Sequence, residues 1–520
     1  MKKSLSLILA ILLAASVLAG CGNQKQVSTD ENQTVFTYWA KMPDALATQY
    51  SSMAEITMYS EMEKLTGVKI DFKHPPVGQD KEQFNLMIAS GELPDMIEYD
   101  WTGYPGGPMK AIEDNVILKL NDLIEKNSPY LSKALQENSM YEKQSKSDDG
   151  TYFGYPTLNV GHYRTFGGLI VRKDWLDDLG LNVPETIEEW ENVLRQFKSE
   201  KGAPAPFTGV KDILVWNEVF NGAYMVSHNF FVEDGDRVVF GPMEDGYKEF
   251  LTLMKNWYAE GLLDNEIFTN NGKSVDAKMT NGDSGVCYGY IGGTMGKYMT
   301  AMSETNPNYK LVAAQHPVVT VGQEPKFMDC QQEAQNPFVA ITTACKNPDE
   351  AAKWLDFVYS PEGNMLKTFG LEGLTYNMEN DYPKLTDLIT KNPEGLSVGE
   401  AMLRHVRSGY PSPGFNQDER MSEQGYTIPE QVDALKIWSK YSPNATKAKL
   451  PPLSPTVDES DTVRNIMAEV NTFVDEMRMK FIYGTEPIEN YDNFRQKLRD
   501  MNIETVIKIN QTALERYNKR

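Results

Sequence analysis

Two hydrophobic periods take turns along the chain. Val35-Phe36-Thr37-Tyr38-Trp39 reads as a strand. Residues 52–65 then carry apolar positions at helical spacing (Met53, Ile56, Tyr59 or Ser60, Met62, Leu65), with Gly67 as the stop. Val68-Lys69-Ile70-Asp71-Phe72 alternates as a half-buried strand should, a helix follows over 81–90, and Pro94–Tyr99 is a third short strand. The order β-α-β-α-β predicts an α/β sheet layered with helices, and ligands of such sheets sit outside the carboxyl ends of the strands. Trp39 and the Asp100–Tyr104 loop both occupy such ends.

Further along, Phe166–Val171 and Gly285–Gly293 read as strands. Residues 174–179 predict a helical turn stopped by Gly180. Thr186-Ile187-Glu188-Glu189 is a capping box, and Ile187, Trp190, Val193 or Leu194 and Phe197 form the buried stripe behind it. Asn347-Pro348-Asp349-Glu350 predicts a helix start, with an Asn cap, Pro in the first turn and acids near the positive dipole end. Residues 246–260, 461–483, 489–501 and 503–518 are expected helices, 461–483 being the longest. Residues 404–460, rich in Pro, Ser and charge, give no clear period.

The N-terminus has a different character. Lys2 and Lys3 precede an apolar run from Leu5 to Leu18, and Leu18-Ala19-Gly20-Cys21 closes it. This resembles a bacterial lipobox, with cleavage before Cys21 and a diacylglycerol on its sulfur. The run is short for a membrane span, and two acyl chains suffice for stable anchoring. Residues 1–20 are therefore read as a lipoprotein signal peptide and 21–34 as a polar, flexible tether. The expected location is the outer face of a bacterial cytoplasmic membrane, by analogy a Gram-positive one, with the lipid as sole attachment.

The remaining chain of about 500 residues is too long for one core. The formal charge is −22, and losing Lys2 and Lys3 makes it more negative still. Such a surface argues against nucleic acid and against flat binding to anionic lipid. Cys287, Cys330 and Cys345 are odd in number, and buried free thiols are the expectation.

In order and spacing, GELPDMIEYDWTGYPGG (91–107), FGGLIVRKDWLDDLGLNVPETIEEW (166–190), GVCYGYIGG (285–293), NPDEAAKWLDFVYSPEG (347–363) and the tail from PPLSPTVDES through FIYGTEPIENYDNF resemble the family 1 extracellular solute-binding proteins of carbohydrate ABC importers. The long lipoprotein branch that includes alginate- and pectin-oligosaccharide binders is the most similar. The resemblance implies a periplasmic-binding-protein-like α/β fold of two lobes joined by three hinge crossings, with a helical C-terminal region. It places crossings near 160–165, 310–315 and 362–375. One lobe is then 35–162 with 312–365 and the other 163–311 with 366–520. It implies a monomer that hands an oligosaccharide to permease subunits. Many members of that branch carry an acidic calcium loop where this chain reads Phe197–Gly209, with one acid and two lysines. Ca²⁺ takes six or more oxygens, mostly from acids and carbonyls, so no calcium is expected at this loop; the chain is read as having no metal site and no cofactor.

A sugar presents apolar C–H faces and a rim of hydroxyls, which call for aromatic rings and for carboxylates, amides and Arg. Trp101 and Tyr104 lie on a glycine-rich loop at a strand end, where bulk is expected to be exposed, and the resemblance puts that loop at the cleft. Asp100 is either a hydroxyl acceptor or a turn residue bonded to its own backbone. The resemblance adds Trp216 with Asn217, and Tyr290 before Gly292-Gly293, as stacking positions. Trp39 ends the first strand, and Arg164 and Tyr376 fall at expected crossings. Arg164, Arg404, Arg407 and Arg420 are candidates for binding a uronic acid, so neutral and acidic sugars both stay open. Trp175, Trp190, Trp257 and Trp354 lie in helical apolar stripes and belong to the core.

No Gly-x-Ser-x-Gly, His-Glu-x-x-His, Walker A or post-strand GxGxxG is present, and the five His are scattered. The chain is read as a binding protein and not an enzyme; a two-carboxylate glycosidase is the competing catalytic reading. Two further readings keep the binding architecture: capture of a peptide or another non-sugar solute, and sugar sensing on behalf of a membrane kinase.

Overall fold

The computed structural model describes residues 33–47, 49–211, 218–407, 410–426 and 428–520. Its strands, in chain order, are β1 (Thr34–Trp39), β2 (Val68–Lys73), β3 (Met96–Tyr99), β4 (Tyr155–Asn159), β5 (Gly167–Arg172), β6 (Phe207–Thr208), β7 (Phe230–Glu233), β8 (Arg237–Phe240), β9 (Val286–Tyr290), β10 (Leu311–Ala314), β11 (Ala334–Ile341), β12 (Tyr376–Glu379), β13 (Tyr382–Leu385) and β14 (Gly414–Asn416). They form a six-stranded sheet in the order β14-β4-β11-β3-β1-β2, a four-stranded sheet in the order β10-β5-β9-β6, and the hairpins β12-β13 and β7-β8.

Each main sheet carries its own core. Around the first, Phe36, Tyr38, Met62, Tyr155, Val339, Leu366, Phe369 and Met402 pack together. Around the second, Val171, Trp190, Phe197, Phe220, Trp257, Val470, Phe481 and Phe494 do the same. These cores define two lobes. Trp175, Trp190, Trp257 and Trp354 are all buried in them.

Strand pairing moves two of the expected crossings. Leu311–Ala314 is not a passage between lobes, because it pairs with β5 in the second sheet. Residues 366–403 belong to the first lobe: the apolar faces of helices Pro361–Phe369 and Val398–Leu403 and of the β12-β13 hairpin are buried there. The lobe boundaries expected at 310–315 and 362–375 are thereby corrected. The chain passes between β4 and β5, again just before β11, and last between β14 and helix Pro429–Ser439.

Local signals account for most elements. The Thr186 capping box closes with both bonds, and Gly67, Gly180 and Gly484 end their helices in the left-handed region. Two details differ. The expected helix over 52–65 is a short turn, Met53–Glu55, then a helix, Thr57–Thr66, with extended Ile56 between them; the break buries Met58 and leaves Leu65 exposed. Asn347 makes no side-chain cap; Pro348 starts that helix, and Asp349 instead pairs with Lys126 at 2.9 Å. Among the described residues no helix is long and apolar enough to cross a membrane. Cys287, Cys330 and Cys345 are buried free thiols.

Candidate functional site

Strand direction singles out one edge of each sheet. In the first sheet β1, β2, β3, β4 and β14 run parallel and end together, while antiparallel β11 begins there. In the second, β6, β9 and β10 end where β5 begins. The chain leaves β4 and enters β5, leaves β10 and enters β11, and leaves β14, always from these two edges. The three crossings are bonded to one another. Gln331 N donates to Arg164 O at 2.9 Å, Asn159 Nδ2 to Gln332 O at 2.6 Å, and Val160 N to Asn416 O at 3.0 Å. The His162 ring, tilted against that of Tyr163 at 4.0 Å, bonds Glu419 of the third crossing. Two strand-end edges joined by a bonded hinge are a place where a ligand can be gripped from both sides.

At the first edge Asp100 is exposed. Its Oδ1 accepts from Thr102 N at 3.1 Å, from Thr102 Oγ1 at 2.7 Å and from Asn336 Nδ2 at 2.8 Å. It is thus the turn residue of its loop, and it also ties β3 to exposed Asn336 at the start of β11. Trp101 and Tyr104 depart from expectation: both are buried, Trp101 at 0% exposure. A single helical turn, Trp101–Gly103, folds the loop back, so that Trp101 stands edge-on to Phe84 at 5.7 Å. Its Nε1 finds no hydrogen-bond partner. Tyr104 Oη donates to Asp114 Oδ2 at 2.9 Å, and burial together with that bond pushes its pKa up to about 12. Trp39 joins the same cluster, 6.1 Å from Phe84 and 5.9 Å from Tyr99. Glycine richness signalled a tight turn there, not outward bulk.

At the second edge Tyr290 ends β9 with 52% of its surface exposed, edge-on to Tyr288 at 5.9 Å. Gly167 makes room for this pair: a Cβ there would lie 2.7 Å from Tyr288 Oη and 3.0 Å from the Tyr290 ring. Tyr290 N donates to Thr294 Oγ1 at 3.1 Å, which starts the open turn Ile291–Gly296 containing Gly292 and Gly293. Between the edges, Arg164 pairs with Glu333; its Nη1 is closed off from solvent and has no hydrogen-bond partner.

Tyr376 lies elsewhere. It opens the β12-β13 hairpin inside the first core, 5.9 Å from Phe369, and not on a crossing. Trp216, Asn217 and Cys21 fall outside the described residues. The structure thus brings Trp39, Trp101 and Tyr104 into one packed base and sets Asp100 on its rim, with Tyr290 on the other edge and Arg164 in the hinge. Asn336, Glu333 and Glu419 escaped the sequence reading. Their partners are 236, 169 and 257 residues away, beyond the reach of any local pattern.

In the segment expected to lack calcium, Lys198 Nζ donates to Glu260 O, and Lys201 Nζ pairs with Asp178 at 2.7 Å. Among the described residues no group of three or more His, Cys, Asp or Glu is arranged to hold a metal ion.

Comparison with known proteins agrees with this architecture. The chain is similar to the fructooligosaccharide ABC transporter substrate-binding protein FusA of Streptococcus pneumoniae serotype 4 (strain ATCC BAA-334 / TIGR4), at 25% identity over 98% of this chain and 97% of that one. It is also similar to the polygalacturonan/rhamnogalacturonan-binding protein YtcQ of Bacillus subtilis (strain 168), at 22% identity over 72% of this chain and 74% of that one. Among solved structures, the alginate-binding protein AlgQ2 without calcium ion superposes with a TM-score of 0.78 at 24% identity, covering 93% of this chain and 98% of that one. The model of the bacterial extracellular solute-binding proteins matches residues 45–365, more than half of the chain, which therefore belongs to that family.

Proposed function

We propose that this protein captures an oligosaccharide between its two strand-end edges and delivers it to the permease subunits of an ABC importer. In this reading it acts as a monomer and performs no chemistry on the sugar. Cys21 carries the lipid that holds it to the outer face of a bacterial, Gram-positive cytoplasmic membrane. The observation that carries the reading is the pair of strand-end edges, with exposed Tyr290 on one and the Asp100–Asn336 pair on the other, joined by the three crossings. An aromatic face and a carboxylate–amide rim are what a sugar's C–H face and hydroxyls require. Relatives whose names describe fructooligosaccharide and polygalacturonan binding support it.

Each candidate residue then has a task. Tyr290 stacks on a sugar ring. Asp100 and Asn336 bind hydroxyls, and Arg164 Nη1 donates once the lobes move. Trp216 and Asn217, a few positions past β6 in the chain, contribute a second stacking face and an amide. Trp39, Trp101 and Tyr104 act as the packed base that holds the Asp100 loop, and Tyr376 supports the first core.

A thermal-shift screen of the full chain in detergent against oligosaccharides of pectin, alginate, xylan, glucomannan, starch and fructan tests this. A ligand at 100 times its Kd adds about 2.7 kcal/mol to the folded state, a readily measured rise in Tm. A hit without new reducing ends is the expected result. Silence across all sugars, with a hit from peptides instead, would sink the reading. Tyr290→Ala is expected to weaken a hit about tenfold, the scale of one lost aromatic stack.

A further inference from the structure

This inference rests on the sugar-binding reading and concerns the charge of the ligand. An acidic oligosaccharide carries a carboxylate on every uronic residue. The planar guanidinium is the side chain that grips a carboxylate with two parallel bonds, whereas a lysine ammonium attracts it only as a point charge. A cleft built for polyuronates should therefore hold guanidinium groups not already satisfied by the protein's own acids.

The chain has thirteen arginines, all among the described residues, and every one is ion-paired with an aspartate or glutamate of the chain. Of the four that sequence singled out, three are held by two bonds to one carboxylate and the fourth by one. Arg407 is buried against Glu98 with two bonds of 2.8 and 2.7 Å. Arg404 makes the same two-pronged contact with Glu394, at 2.6 and 2.7 Å. Arg420 is held by both oxygens of Asp418, at 3.0 and 2.6 Å. Arg164, the one nearest the two edges, is neutralised by Glu333. Its leftover Nη1 is a donor without surplus charge, which suits a hydroxyl oxygen better than a carboxylate.

The lysines near the first edge do not change this balance. Lys73, which ends β2, is 2.7 Å from Asp71, and Lys41, two residues past β1, is 3.8 Å from Asp80. Asp100 adds an exposed carboxylate at that edge, and the chain as a whole is acidic, so a polyanion would approach against the field. We infer that the cleft takes a neutral oligosaccharide and excludes polyuronates.

The test is titration calorimetry on the full chain in detergent. The probes are tetrasaccharides of glucose, xylose, mannose and fructose against tetramers of galacturonic and mannuronic acid. One or more neutral sugars should bind, with every uronate at least a hundredfold weaker. The neutral affinity should change less than twofold between 50 and 500 mM NaCl, since no ion pair is formed for salt to screen. A uronate tetramer that binds within tenfold of the best neutral sugar, or a neutral affinity that falls steeply with salt, overturns the inference and leaves the sugar reading standing. Failure of every sugar in both sets, with binding of a peptide instead, overturns the sugar reading and this inference with it.

Discussion

Glu98 and Arg407 are 309 residues apart in the chain and 2.7 Å apart in the fold. Tyr38 Oη donates to the same carboxylate at 2.7 Å, and all three side chains are buried. Removing one member leaves the other charged and desolvated, so Arg407→Ala should cost about 3–5 kcal/mol in urea unfolding. A second buried carboxylate makes a pH prediction. Asp356 accepts from Leu131 N at 2.8 Å and Tyr130 N at 3.1 Å at the start of helix Pro129–Glu137, yet burial outweighs those bonds and raises its pKa to about 6. Above its ordinary value the unfolded chain releases this proton while the folded chain keeps it until about pH 6. The group therefore costs stability progressively as pH rises from about 4 to about 6, and the cost is constant above that. Wild type should gain about 2 kcal/mol on Asp356→Asn as pH is lowered from 7 to 4, measured by unfolding both proteins across that range. A flat difference would show that the carboxyl is not perturbed.

At the scale of elements, close approach decides more than propensity. Helix Pro429–Ser439 lies on the second sheet through Trp438, whose Nε1 donates to Ala314 O at 3.0 Å. Gly168 of β5 lies directly beneath, and a Cβ there would overlap the indole. Gly168→Ala should thus destabilise by about 1–3 kcal/mol, read as a lower urea midpoint, with Trp438 fluorescence reporting the displaced ring. Sequence marked Gly168 as one of two glycines in a strand but offered no reason for them, because the partner indole comes from residues 404–460, which showed no clear period. By contrast, helix Val457–Tyr483 was legible from its stripe of Val470, Val474 and Phe481 and from Gly484. Only its start was missed, four residues earlier at the Thr456–Glu459 capping box.

At the scale of the whole molecule the lobes meet beyond the crossings. Helix Ile503–Asn518 packs in the second core, yet Arg516 and Arg520 both reach Asp148 of the first lobe, at 2.8 and 2.7 Å. Arg520 also donates to the carbonyls of Lys143 and Lys146. Asp148→Asn leaves that buried guanidinium without its counter-charge, and a loss of about 2 kcal/mol in urea unfolding is expected; no change would mean that this ion pair does not couple the lobes. What the sequence determined by itself was the local periods, the caps and stops, the α/β class and the buried tryptophans of amphipathic helices. These depend on spacings of two to four residues, which are visible in one dimension. Only the tertiary structure decided where the chain changes lobes, that Trp101 and Tyr104 turn inward while Tyr290 turns outward, and that Arg164 and Arg407 are taken by acids 169 and 309 residues away. Each of those depends on which distant segment arrives at a given face. Which way a loop or strand-end side chain turns, and ion pairs across hundreds of positions, are properties of neighbours in space, and no run of adjacent residues specifies them.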